Sequence, residues 1–387
     1  MRRWVWFALL CGMGGVAVAQ QPVAPELTSP AHGLWDLSSG QRMSARGLDA
    51  PVEPADWTKL MTAYLVFDAL KSGQLRWDQR VAVSERATAS PGPLMFVPSG
   101  AQVPVSALVH GLLVQSANDA AWALAEAVSG TSERFVALMN RQAQAMGLNA
   151  TRYLNPTGEI QSGQVSTLRD TAQLSMRIWR DFPEHQAVWG QPRYRWSEAP
   201  HANDVNPNPL LSRDPSVDGL MAAQGPSLGW ALVSTARRPL ASKVGPPGER
   251  RLLALVWGAP SDDARARDSQ KLLNWGFGAF EAVRLLQPAQ AAVSLPVWMG
   301  QSSTVELGHP DGVVVTVPTG TAGGLRTEVV RPQRLLAPLQ RGQVLGTLRV
   351  RTAQGLVIQE YPLSVLQTVP QAGVWGRGWD ALRLWVQ

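Results

Sequence analysis

Cysteine is almost missing from this 387-residue chain; the single one, Cys11, lies close to the N-terminus. The body of the protein therefore has neither disulfides nor thiolate chemistry to draw on. Lysine is nearly as scarce: Lys59, Lys71, Lys243 and Lys271 are the only four, so arginine carries most of the positive charge behind the net +6. The arginines are scattered, with no basic block and no stacking aromatics among them. That argues against a nucleic-acid interface and for a basic surface beside anionic polymers or lipid. The five histidines (His32, His110, His185, His201, His309) fall far apart. Metal-ligand spacing is absent, and neither a zinc site nor any other cofactor is expected. Beyond residue 19 no run reaches the roughly 18 consecutive apolar residues of a spanning helix, and no internal repeat is found.

What is present begins with an export signal. Arg2 and Arg3 form a charged start, Trp4 to Val18 is apolar but broken by glycine, and Ala17-Val18-Ala19 offers small residues for cleavage. The succession predicts a signal peptide over residues 1–19 and a periplasmic, thiol-free protein starting at Gln20. Leu10 stands before Cys11 where a lipoprotein has a small residue, so lipid on Cys11 is not expected. The remaining length suits one large domain and a smaller one.

Residues 20–31 are proline-rich and polar and read as a linker. Gly33 to Leu37 and Gln41 to Met43 form a hairpin around Ser38-Ser39-Gly40. A second strand pair, Trp230 to Thr235 and Leu252 to Trp257, is joined across Gly245-Pro246-Pro247-Gly248. Between these the pattern is helical. Trp57 to Leu70 is apolar on nearly every side and predicts a buried central helix ending near Gly73. Val105 to Gln115 and Ala120 to Val128 predict two helices broken at Ser116-Ala117-Asn118-Asp119, with Asp119 as N-cap of the second. Glu133 to Met146 and Ser166 to Trp179 continue the helical part. Strands from both ends around a helical insert make an α+β domain over residues 32–286. Residues 287–369 change character: Val313 to Val317, Val344 to Arg351 and Leu356 to Tyr361 alternate with turn residues, as in a small all-β module. Residues 370–387 place Trp375, Trp379, Leu382 and Val386 at helical spacing, with Arg377, Asp380 and Arg383 elsewhere around the wheel. That predicts an amphipathic helix lying on a membrane surface.

Three short stretches carry a resemblance. Pro54-Ala55-Asp56-Trp57-Thr58-Lys59-Leu60-Met61-Thr62 resembles the Pro-Ala-Ser-x-Thr-Lys-x-Met-Thr element of the low-molecular-mass penicillin-binding proteins, the D-alanyl-D-alanine carboxypeptidases. Gln115-Ser116-Ala117-Asn118-Asp119-Ala120 is similar to their Ser-x-Asn loop. Val217-Asp218-Gly219-Leu220-Met221-Ala222-Ala223 stands in the place of Val-Asp-Gly-x-Lys-Thr-Gly. Asn155-Pro156, Asp170 and Lys271 to Phe277 extend the match in order along nearly the whole chain past the signal. The resemblance implies a penicillin-binding, β-lactamase-like transpeptidase domain followed by a small all-β domain. It also implies a location on the outer face of the inner membrane and a role in peptidoglycan maturation, with stem peptide or a peptidoglycan enzyme as partner.

In that family a serine attacks the amide between two D-alanines and forms an acyl-enzyme, activated by a lysine three residues on along the same helix face. The Ser-x-Asn loop relays protons and orients the substrate, and the Lys-Thr-Gly strand holds the terminal carboxylate. Carried over residue by residue, Lys59, Ser116 and Asn118 are retained. The nucleophile position is Asp56, and the carboxylate-gripping lysine position is Met221. Thr58, one residue before Lys59, points to another face of the helix. The family's Asn-Arg-Asn run is Asn206-Pro207-Asn208. A carboxylate attacking an unactivated amide gives an anhydride, more reactive than the amide itself, so acylation at Asp56 runs uphill. Asp56 reads instead as an N-cap and ion-pair partner of Lys59. The expectation is an inactive relative that binds cell-wall peptide or a partner enzyme. An active peptidase with a rearranged site, or a scaffold whose cleft is merely filled, are the alternatives.

Overall fold

A computed structural model describes residues 22–196, 203–225, 229–240, 248–332 and 334–373. The expected export signal and Lys243 lie outside these residues, as does the segment expected to form the tail helix apart from its first four positions. The chain opens with β1 (Ala31–Asp36) and β2 (Arg42–Arg46), then buries α1 (Thr58–Lys71). After it come β3 (Arg80–Ala82), α2 (Glu85–Thr88) and β4 (Gln102–Pro104). The helical insert continues through α3 (Val105–Val114), α4 (Asn118–Ser129), α5 (Ser132–Ala145), α6 (Leu168–Asp181) and α7 (Gln186–Trp189). The chain then returns to the sheet with β5 (Val217–Gly225), β6 (Gly229–Pro239) and β7 (Glu249–Ala259), and crosses its face with α8 (Asp262–Ala279).

The main sheet is antiparallel in the order β2-β1-β7-β6-β5. Strands from both ends of the domain meet because β1 pairs along its whole length with β7, Ala31 opposite Trp257 and Asp36 opposite Leu252. Alternation along each strand separates two cores. Met221, Ala223, Val233, Leu253 and Leu255 face the helical insert. Ala222, Leu232, Leu252 and Ala254 face α8. Helix α1 is apolar all round because it lies inside the first core, with Leu60, Met61, Val66 and Phe67 fully buried. It ends where Gly73 takes φ +77°.

The end of the expected linker is docked. Thr28 Oγ1, Ser29 N and Ser29 Oγ all donate to Asp268 Oδ2 of α8, at 2.8, 2.8 and 2.7 Å. Asp119 is not the cap of α4. That helix starts at Asn118 after Ala117, and the Asp119 carboxylate instead accepts the N–H groups of Met95 and Val97.

The second unit contains β8 (Phe280–Leu286), β9 (Ala291–Pro296), β10 (Thr304–Gly308), β11 (Val313–Pro318), β12 (Arg326–Val330), β13 (Val344–Arg351) and β14 (Val357–Val365). Five of these form a sheet in the order β12-β13-β14-β10-β9, and β11 pairs with β8. Phe280–Leu286, which the sequence places in the first domain, thus belongs with the β-rich unit, and Val283 sits in its core. A buried network joins the two units. Asp36 accepts from Arg250 Nε at 2.7 Å and Thr316 Oγ1 at 2.6 Å. Ser39 Oγ bonds Thr316 Oγ1 at 2.8 Å. A cavity of about 560 Å³ opens beside this junction, lined by Gln41, Arg42 and the Thr352–Ile358 hairpin, away from all three motifs.

Candidate active site

Asp56 sits in a single 3-10 turn, Ala55–Trp57, directly ahead of α1. It is not an N-cap: the residue in that place is Trp57, and no side chain caps the helix. The turn is held from below by a second one. Asn155 Oδ1 accepts the N–H groups of Thr157 and Gly158 at 3.3 and 2.7 Å. Gly158, at φ +91°, then lies so close that a Cβ on it would collide with the Ala55 carbonyl. Only glycine fits that approach. Thr62 Oγ1 donates to Pro156 O at 2.7 Å and ties α1 to the same turn.

The Asp56 carboxylate gathers the retained groups. Lys59 Nζ donates to Oδ1 at 2.6 Å and Ser116 Oγ donates to the same oxygen at 3.1 Å. Spacing of three residues places Asp56 and Lys59 on one side of the helical turn. Ser116 is brought in from the break between α3 and α4 at φ +54°, a conformation costly for a non-glycine residue and met mostly where the surroundings enforce it. The Lys59 side chain is fully buried, whereas that of Asp56 is 25% exposed. Thr58 is buried and its hydroxyl meets no partner among the described residues. It faces the core rather than the site.

Asn118 is present but engaged by the chain. Its Nδ2 donates to Pro91 O at 2.5 Å, its N–H to Pro93 O at 2.7 Å, and its Oδ1 is buried without a partner. The loop that covers it is continued by a group not foreseen from sequence, Glu159. That carboxylate takes Ser90 Oγ and Trp122 Nε1. A glutamate following Asn-Pro-Thr-Gly was the available signal, since a carboxylate next to a glycine of forced geometry cannot move far from the turn.

On the opposite wall, Met221, Ala222 and Ala223 are each at most 3% exposed. Met221 points into the core shared with Trp57, whose Nε1 donates to the Met221 carbonyl at 3.0 Å. No cation projects from this strand toward Asp56: Asp218 is paired with Arg251 at 2.6 Å. Behind the wall stands a second group missed in the sequence, Arg265 of α8. Its Nη1 donates to Ala223 O and Ala231 O at 2.9 and 3.0 Å, and its Nη2 to Pro207 O at 3.2 Å. Burial pulls its pKa below the usual arginine value, against the opposing charges of Asp262 and Asp56. The two asparagines around Pro207 keep structural bonds, Asn208 Nδ2 donating to Gly219 O at 3.1 Å. Asp56, Lys59 and Ser116 are therefore brought together; Asn118 lies beside them facing its own loop; Met221 fills the wall.

Residues 17–244 match the family model described as D-alanyl-D-alanine carboxypeptidase, and residues 280–371 match that of the penicillin-binding protein 5 C-terminal domain. The chain belongs to the D-alanyl-D-alanine carboxypeptidase family. Among this family's members, D-alanyl-D-alanine carboxypeptidase DacC of Escherichia coli (strain K12) is 35% identical over 383 residues, covering 97% of this chain and 92% of the relative. DacA of the same organism is 33% identical over 371 residues, covering 94% and 89%. The solved structure of penicillin binding protein 5 from Haemophilus influenzae superposes with a TM-score of 0.80 at 31% identity, covering 90% of this chain and all of the other. Family membership thus accounts for the α+β domain, the β-rich unit and the order of the three motifs. Among the described residues no helix is long and apolar enough to cross a membrane.

Proposed function

We propose that this chain is a non-catalytic member of the carboxypeptidase family, exported to the periplasm and peripheral on the outer face of the inner membrane. There it acts in peptidoglycan maturation by binding cell-wall stem peptide or a peptidoglycan enzyme. The observation that carries this reading is the Asp56 carboxylate at the nucleophile position, with the Lys59 ammonium and the Ser116 hydroxyl both turned onto it. The groups that would activate a serine are spent on an ion pair. The second support is Met221, an apolar side chain where a substrate carboxylate would need a cation. Losing the nucleophile alone costs roughly a millionfold in turnover in a triad hydrolase, and two independent losses compound it.

One observation favours the alternative of a rearranged hydrolase: the Asp56 carboxylate remains 25% exposed and within reach of a water. Two measurements separate the readings. Mass spectrometry after incubation with penicillin is expected to find no covalent adduct, and a pentapeptide ending in D-Ala-D-Ala is expected to release no D-alanine. Asp56→Ser alone is expected to stay unlabelled, because the wall opposite still offers no grip for a carboxylate. An adduct on the wild-type protein, at any residue, overturns the proposal. Calorimetric titration with a stem pentapeptide then divides a peptide binder from a protein that only contacts a partner enzyme.

A further inference from the structure

The β-rich unit has two unlike ends. At one, the β13–β14 hairpin carries Leu356 and Val357, and the nearby carboxylates of Glu328 and Glu360 are taken by Arg349 and Arg351. At the other, the chain leaves the described fold. Gln301 N donates to Pro370 O and Ala372 N to Met299 O, so the last described residues run beside the β9–β10 turn. On the far side of the same turn, Trp298 N donates to Leu335 O and Ala337 N to Trp298 O. The turn is thus clamped between residues 335–337 and the departing chain.

This end is apolar and cationic together. Leu336 is 52% and Val344 59% exposed, with Trp298 half-buried beside Leu336. Arg331, Arg334 and Arg341 are exposed around them, and among the described residues none of the three makes an ion pair. Asp311 shares a shallow cavity with Arg341, and Glu306 lies on β10. Fourteen residues follow Gly373, among them Trp375, Trp379, Trp385, Arg377 and Arg383. The same pairing of tryptophan, leucine and arginine therefore continues from the folded unit into the tail. An indole with aliphatic neighbours ringed by guanidinium groups suits the headgroup boundary of an anionic bilayer.

We infer that this end of the β-rich unit, Leu336 and Trp298 with Arg331, Arg334 and Arg341, rests directly on an anionic lipid surface. Attachment is then two-sided, by tail and folded unit. The transpeptidase-like domain is thereby held at a fixed orientation instead of swinging on a tether. The inference rests on the proposed peripheral location and adds the face that makes contact.

The chain's single cysteine makes the test clean. The full chain, with Cys11→Ser so that no other thiol is present whether or not the signal has been removed, receives either Leu336→Cys or Leu356→Cys and a polarity-sensitive fluorophore. These positions lie at opposite ends of the sheet, roughly 30 Å apart. Vesicles of phosphatidylethanolamine and phosphatidylglycerol are compared with phosphatidylcholine alone. The expected result is co-flotation with the anionic vesicles, a blue shift at position 336, and its quenching by headgroup nitroxides but not by aqueous iodide. Position 356 should behave as in free solution. Arg334→Glu with Arg341→Glu should weaken partition at least about tenfold. Flotation with a label at 336 as accessible as that at 356 overturns the inference and leaves the peripheral location standing. No flotation overturns both.

Discussion

Lys59 is fully buried and its charge is met by one carboxylate, Asp56, which also holds Ser116. Removing one partner of a buried pair strands the other, which is why such truncations cost more than the pair itself contributes. Asp56→Ala is expected to destabilise the protein by about 3 kcal/mol, the low end of the usual range, because one partner is partly solvated. Ser116→Ala, which removes one hydrogen bond, should cost about 1 kcal/mol. Denaturant midpoints at neutral pH check both, and an Asp56→Ala variant as stable as wild type would mean that the ion pair is not a structural element. The i,i+3 pairing was legible in the sequence because it depends only on helical spacing. The capping role was not realised, because the chain enters α1 through a 3-10 turn that puts Trp57, not Asp56, at the boundary. The approach of Gly158 to Ala55 and the left-handed backbone of Ser116 join segments far apart in sequence, and local pattern carries no trace of them.

Helix α8 shows how one element can serve two layers. Arg265 in its first turns binds carbonyls of β5 and β6, so the strand wall of the cleft is fastened from behind. About one turn later the same helix meets the incoming chain through Asp268. Burial alone would raise the Asp268 carboxyl, but the hydroxyls of Ser29 and Thr28 and the N–H groups beside them hold it below the ordinary aspartate value. A carboxyl lowered by folding contributes stability that is complete above its unfolded value near 3.8 and is lost as pH falls through the folded one. Asp119 has the opposite sign: burial raises it despite the N–H groups of Met95 and Val97, so its contribution grows as pH falls. A global melt mixes the two, and a local probe is needed. Hydrogen exchange of residues 28–31 is expected to quicken as pH is lowered below about 4, after correction for the intrinsic rate, and Asp268→Asn should quicken it already at pH 7. Unchanged protection in Asp268→Asn would show that β-sheet pairing alone holds this segment. The long strands and helices were readable from period and turn residues. The short β3–β4 pair and α2 were not, since three or four residues carry no period.

The misplaced boundary between the units has a physical cause at the scale of the whole molecule. Helix α8 runs into β8 without an intervening loop, Ala279 being helical and Phe280 already extended. The turn residues that mark a domain edge are therefore missing there. The two units are then bound by groups with no counterpart in local sequence: Asp36, fully buried in β1, faces Arg250 of β7 and Thr316 of β11 at once. Thr316, itself in the second unit, is tied further to the first through Ser39 and through its N–H on Gln41 Oε1 at 2.5 Å. Such a junction should make the units melt together. Asp36→Ala would leave the Arg250 guanidinium buried with the Phe280 carbonyl as its remaining hydrogen-bonded oxygen, at a cost of about 3–5 kcal/mol. Thr316→Val would remove only the hydroxyl bridge, for about 1 kcal/mol, and leave the ion pair intact. The expected outcome in calorimetry is one transition for the wild type. Thr316→Val should show a broadened one, and Asp36→Ala two resolved transitions, the first of them the α+β domain that contains the stranded arginine. A single transition at an unchanged midpoint in Asp36→Ala would mean that the units are coupled elsewhere, for example through Gln359 on Ser39, and that the buried triad only fills space.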